Sequence, residues 1–177
     1  MSYLPFVFML VFSGVLMYEQ NDYIMILEHV EIVSYNKQHV GFAKTRNFKY
    51  NRTHTGTNFT LKMLTAFGNN LQMEIQGYKF ASNEYRLFPI TFAVNICATI
   101  AKNDFGLQNL YSCGNFSRCP FKKGNFVICN WSPDYSKFPP FIPAGSYMMD
   151  YILTYFDQPV LQAQGYASVK RIKDFNP

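Results

Sequence analysis

Leu71-Gln72-Met73-Glu74-Ile75-Gln76-Gly77 is the stretch from which the fold can be read. Apolar and polar side chains alternate at every step, the period-two pattern of a strand with one face buried and the other in water. The closing glycine suits a bulge or a bend. Immediately upstream, Asn69-Asn70 reads as a turn, and before it Phe59, Leu61, Met63 and Phe67 alternate with more polar neighbours. Further back, Tyr23–Tyr35 is strand-like, with Ile24, Ile26, Val30 and Ile32 on one face and Glu28 interrupting it. Asn36–Asn58, polar, basic and rich in Asn, Thr and Gly, reads as a hairpin or loop region.

Downstream the period changes once. In Pro89–Ala101, the residues Ile90, Ala93, Val94, Cys97, Ile100 and Ala101 recur at three- and four-residue spacing. That spacing predicts a short helix around residues 90–101, with Cys97 on its buried face and Asn103–Gly106 ending it. Strand character resumes at Asn125–Trp131, followed by a proline-rich loop from Pro133 to Pro143. Ser146–Phe156 is apolar on nearly both faces and reads as a central strand buried on both sides. Asp157–Pro159 turns the chain into a final strand, Val160–Ile172. Many short strands with regular turns predict a mainly β, two-sheet antiparallel sandwich.

The four cysteines, Cys97, Cys113, Cys119 and Cys129, all lie within one third of the chain. An even number in a small exported protein reads as disulfides, and four cysteines allow three pairings. A zinc site is disfavoured: no Cys-x-x-Cys occurs, and His29, His39 and His54 are distant in sequence. Residues 1–18 carry no charged side chain, and their apolar run Leu4–Phe12 is followed by Ser13 and Gly14, the pattern of a secretory signal peptide. The run is shorter than the roughly 20 residues needed to span a bilayer. Residues 19–177 are then expected to form one secreted, extracellular domain. Asn51, Asn58, Asn115 and Asn130 each begin an Asn-x-Ser/Thr sequon and are candidate glycosylation sites, with Pro133 hindering use of the last.

The net charge is +5. The basic residues are dispersed as Lys44, Arg46, Lys49 and Arg52, then Lys122 and Lys123, then Lys170, Arg171 and Lys173. No dense stripe suited to nucleic acid results, whereas an anionic membrane surface remains compatible with this charge. The chain holds 18 Phe and 13 Tyr against a single Trp, enough to fill a core or to line a cavity. No metalloprotease, nucleophile-elbow, phosphate-loop or dinucleotide motif is present. His29 and Glu31 share a strand face but sit beside Glu28, as in a solvated patch. The expectation is a protein that is not an enzyme and needs no cofactor.

Cys119-Pro120-Phe121-Lys122-Lys123-Gly124-Asn125-Phe126 follows a Cys-Pro-Phe-Lys-x-Gly-x-aromatic pattern. Phe138-Pro139-Pro140 runs through Pro143 into Gly145-Ser146-Tyr147, and Asn95-Ile96-Cys97 stands upstream. In order and spacing these motifs resemble the ML lipid-recognition superfamily in its ganglioside-activator branch, and within it the secreted insect CheB-type chemosensory proteins. The resemblance runs from Cys97 to Ile172. Locally, Gly124 suits a tight turn feeding a strand and Gly145 lets the chain turn into the next one. The resemblance implies that Cys97 pairs with Cys119, which leaves Cys113 for Cys129. It departs from the activator pattern in lacking that protein's additional cysteines.

The resemblance further implies an immunoglobulin-like cup, two sheets held slightly apart around an apolar cavity. The residues expected to line the pocket are Leu71, Met73, Ile75, Phe126, Ile128, Met149, Tyr151 and Leu153; the same alternation also describes an ordinary packed core. Phe138, Phe141 and Ile142 are expected at the cavity mouth, or as a loop tucked onto its own domain. The function implied is non-catalytic carriage of a lipid or other long apolar molecule, in the insect relatives for pheromone or contact chemosensation. The alternatives are an extracellular protein-interaction module, a receptor accessory subunit, or a lipid-presenting activator of another enzyme.

Overall fold

The computed structural model describes residues 20–51 and 54–172; the expected signal segment, residues 1–18, lies outside them. Eight strands follow in order: β1 (Tyr23–Tyr35), β2 (Val40–Lys49), β3 (Thr55–Met63), β4 (Leu71–Ala81), β5 (Glu84–Asn95), β6 (Gly124–Trp131), β7 (Gly145–Tyr155) and β8 (Gln158–Arg171). Helix α1 (Ile96–Lys102) and a 3-10 segment, Asp104–Tyr111, lie between β5 and β6; a shorter 3-10 turn, Tyr135–Lys137, precedes β7. Every pairing is antiparallel. One sheet has the order β1-β8-β7-β4-β5 and the other β2-β3-β6. The chain is therefore a mainly β, two-sheet antiparallel sandwich, as the alternation predicts.

Strand β4 keeps its pattern, with Leu71 and Ile75 buried and Glu74 exposed. The polar region 36–58 contributes β2 and the first residues of β3, joined as a hairpin running from Lys49↔Thr55 to Val40↔Met63. Three expectations change. In β1, Glu28 is the extra residue of a β-bulge: the register against β8 shifts between Leu27 and His29. The inward face is consequently Met25, Leu27, Val30 and Ile32, and Ile24 and Ile26 fall on the other side.

The helix is also shorter than expected. Residues 84–95 are strand, and α1 begins only at Ile96. Ile90, Thr91 and Val94 are β-branched and favour a strand, and Thr91↔Gln76, Phe92↔Ile75 and Val94↔Met73 tie this segment to β4. Three- and four-residue spacing over so short a run did not distinguish the two. The Asn95 side chain caps α1 by accepting from the Ala98 N–H at 2.9 Å. Asn103, in the left-handed region at φ 57°, closes its C-terminus.

Strand β7 is central by pairing, between β4 and β8. It is not buried on both sides: only Tyr147 is fully buried and the rest are half-buried. Its outer face includes Asp150, which accepts from Gln162 Nε2 at 2.9 Å. The disulfides join Cys97 to Cys119 and Cys113 to Cys129. The first staples α1 to the segment leading into β6.

The buried core is divided. One cluster surrounds Cys97 and includes Leu71, Phe67, Ile100, Phe121, Phe126 and Val160. The other contains Tyr23, Ile142, Tyr147 and Val169. Along β7 and β8 these clusters lie at opposite ends: Tyr147 and Val169 belong to one, and Leu153 and Val160 to the other. The space between the sheets is bordered by both clusters.

Candidate functional site: an apolar cavity between the sheets

A cavity of about 350 Å³ lies between the sheets and reaches both clusters, with Ile96, Ile100 and Phe121 lining it at one end and Ile142 and Tyr147 at the other. That volume is within the range of roughly 300–1,000 Å³ typical of small-molecule sites. Strand alternation supplies its wall. Met25, Leu27, Val30 and Ile32 come from β1, Leu71, Met73 and Ile75 from β4, and Tyr147, Met149, Tyr151 and Leu153 from β7. The opposite sheet contributes Phe59, Leu61 and Ile128.

Strand β8 explains why space remains. Its inward positions Ala163, Gly165 and Ala167 carry at most a methyl group at three successive alternations, and all three line the cavity. At Gly165 the ring of Tyr151 lies so close that an added Cβ would be 3.2 Å from Tyr151 Cε2. Apolar bulk along the sequence does not mark these residues. The usable signal was small residues recurring at period two inside a strand otherwise rich in larger side chains.

Of the expected pocket residues, Leu71, Met73, Ile75, Ile128, Met149, Tyr151 and Leu153 line the cavity. Phe126 does not. It is buried in the core cluster around Cys97, with its ring edge-on to Phe116 at 5.8 Å. The expected mouth residues separate as well. Phe138 and the buried Ile142 line the cavity, whereas Phe141, 69% exposed, lines only an outer groove. That groove runs between Phe88–Phe92 of β5 and Pro139–Pro143. It shares Ile90, Phe92, Pro139 and Ile142 with the cavity wall. The rings of Phe92, Phe105 and Phe138 follow one another there at centroid spacings of 5.7 and 5.8 Å.

The β5 side of this region has an irregular ladder. Register shifts between Gln76 and Tyr78, opposite the stretch that contains Pro89. Gln76 fills the gap: its Nε2 donates to Gly77 O at 2.8 Å and to Phe88 O at 3.2 Å, and its Oε1 accepts from the Thr91 hydroxyl. Backbone groups that the bulge would otherwise strand are thereby paired.

Among the described residues, the wall holds no carboxylate, histidine or thiol. Lys44 and Thr60 border it but are exposed to solvent. The Tyr147 hydroxyl donates to Pro143 O at 2.6 Å. The Trp131 N–H is fully covered without a partner, next to Phe59. Tyr151 is half-buried, and desolvation in this apolar space pushes its phenol up to about 12. His29 and Glu31 lie elsewhere: His29 stacks on Tyr166 at 4.2 Å and Glu31 accepts from the Tyr166 hydroxyl at 3.2 Å. Among the described residues, no group of three or more His, Cys, Asp or Glu is placed to hold a metal ion.

Fold and site together define a two-sheet β-sandwich with an apolar internal cavity. Residues 70–149 match the model of a family described as a protein of unknown function, DUF1091. A solved structure, a Niemann-Pick type C2 protein from Japanese carpenter ant, is similar at 11% sequence identity and a TM-score of 0.31, over 85% of this chain and 96% of that one. No curated protein matches the chain.

Proposed function

We propose that the protein is a secreted, non-catalytic carrier that encloses a lipid or other long apolar molecule between its sheets. The supporting observation is the cavity itself: an apolar space between the sheets, lined on β8 by the small residues Ala163, Gly165 and Ala167. A chain of ~14 methylenes buried there contributes at most about 11 kcal/mol, at ~0.8 kcal/mol each. Lost ligand freedom reduces that figure substantially. Shape and dryness suffice for such binding, so no catalytic group or cofactor is required.

In this reading residues 1–18 are removed on export, residues 19–177 act as one domain, and the two disulfides suit an oxidising compartment. The ligand passes beside Phe92, Phe138 and Ile142. The exposed Phe141, with Leu87 at 71% exposure on β5, meets the membrane or receptor from which it is collected. The chemosensory setting of the proteins that the C-terminal half resembles, pheromone or contact-chemical sensing, is the physiological context proposed. Glycans at Asn51, Asn58, Asn115 or Asn130 belong to the same proposal. The exposed apolar side chains also favour a second reading, presentation of the lipid to another enzyme.

Protein freed of lipid is expected to take up a fluorescent long-chain probe saturably, with one-to-one stoichiometry. Absence of saturable uptake refutes the carrier reading. Stimulation of a lipid-modifying enzyme by a protein inactive alone identifies the presenting role.

A further inference from the structure

The cavity is apolar but not featureless. Tyr151 projects from the middle strand of the larger sheet, between Ile75 of β4 and Ala163 of β8. Its hydroxyl makes no hydrogen bond among the described residues and, unlike the Trp131 N–H, is not sealed off by its neighbours. A phenol left unpaired in an apolar space is costly, and in a native protein it calls for an explanation. Phenylalanine would line the wall equally well without that cost.

We infer that Tyr151 is a specificity residue for a neutral, long-chain ligand carrying an acceptor oxygen within its length, such as a ketone or an ester. The inference rests on the carrier reading. A phenol donates to such an oxygen, and the exchange pairs both groups away from water. The oxygen's place follows from strand geometry. At about 3.3 Å per residue, Tyr151 lies about 7 Å from Leu153 at one end cluster and about 13 Å from Tyr147 at the other. Lining residues continue past Leu153 to Ile100 and Phe121 and past Tyr147 to Ile142, so the acceptor falls within the length of the bound chain. A carboxylate fits poorly, because the wall offers no cation: Lys44, the sole basic residue bordering the cavity, is exposed to solvent. Desolvation raises the phenol pKa, and the same cost opposes any buried anion.

The test compares three probes of equal chain length, an alkane, an internal ketone and a terminal carboxylate, on the full chain and on Tyr151→Phe. The unaltered protein is expected to favour the ketone over the alkane about tenfold, the size of one buried hydrogen bond gained, and to bind the carboxylate more weakly than the ketone. Tyr151→Phe should bring the ketone-to-alkane ratio to one or below, because the carbonyl is then buried without a donor, and a cooperative thermal melt certifies that the variant is folded. The same ratio in both proteins, as would follow if a water satisfied the phenol, overturns the inference and leaves the carrier reading standing. Tightest binding of the carboxylate overturns it as well. Failure of the unaltered protein to bind any of the three overturns the carrier reading itself.

Discussion

Filling the cavity from β8 is the most demanding perturbation. Ala163 and Ala167 line the space on either side of Gly165. Changing both to Leu places six additional carbons where a ligand chain would lie. If each displaces one methylene, about 5 kcal/mol of transfer energy is lost at ~0.8 kcal/mol per methylene. A ligand that slides recovers part of this, so a loss of at least about 100-fold in affinity is expected by probe titration. Stability should respond in the opposite sense to ordinary overpacking: leucines that occupy empty space gain apolar contact and leave the melting temperature unchanged or higher. The control is Val169→Phe, at a position 2% exposed that does not line the cavity. Overpacking there costs about 1–3 kcal/mol, which lowers the melting temperature by at least ~2 °C in a chain of this size. If the double leucine variant melts below the unaltered protein and binds the probe equally well, Ala163 and Ala167 are ordinary core and the reasoning fails.

Other consequences are simpler to measure. Replacing Cys97 and Cys119 by Ser opens a loop of 22 residues and should lower the unfolding free energy in denaturant by about 3 kcal/mol on the chain-entropy account; an unchanged denaturation midpoint contradicts this. Asn95→Ala removes the α1 cap and should cost about 1 kcal/mol in the same assay. Gln76→Met strands the carbonyls of Gly77 and Phe88 and should loosen β5 beside the groove, which stopped-flow fluorescence would record as faster probe release. Tyr151 also gives a pH dependence. Its folded pKa is raised to about 12 from 10.0, so the folded state holds its proton more tightly than the unfolded chain. The associated stability, about 3 kcal/mol at most, is complete below pH 10 and lost as pH rises toward 12. Alkaline unfolding should therefore be less steep in Tyr151→Phe, and an identical profile counts against a buried phenol.

The sequence was legible where one period held without interruption. Leu71–Gln76 announced its strand and its inward face correctly, because a half-buried strand leaves a pattern that nothing else produces. Where backbone irregularity intervened, the pattern misled. One bulged residue at Glu28 moved the inward face of β1 from Ile24 and Ile26 to Met25 and Leu27. Pairing with β4 held Ile90–Asn95 as strand despite its helical spacing. Both are tertiary effects that local periodicity does not contain. Phe126 shows the complementary limit, since alternation assigns a face but not a position along it, and this ring packs against Phe116 without joining the cavity wall. The disulfide pairing came from the resemblance, because spacing left all three arrangements open.

A hollow sandwich has to obtain its stability from somewhere other than its middle. Here the burden falls on the two ends. At one, α1 is held by the Cys97–Cys119 bond against Leu71, Phe121 and Val160. At the other, Tyr23 and Tyr147 donate hydrogen bonds from within the apolar cluster to the proline loop, Tyr23 to Pro139 O at 2.8 Å and Tyr147 to Pro143 O at 2.6 Å. These clamps free the central positions from having to pack, so β8 can present Ala163, Gly165 and Ala167 and the space persists without collapse. The division also assigns mobility. The disulfide end is covalently tied, whereas the proline-loop end is held by hydrogen bonds and apolar contact and adjoins the groove along the sheet-edge strand β5. Opening at the proline-loop end breaks fewer constraints, which is why access is placed there and not beside α1. Hydrogen exchange supplies the comparison: amides of β5 near Phe92 should exchange faster than those of β4 and α1 in the empty protein, and bound probe should slow them selectively. Faster exchange in α1 would move the opening to the other end.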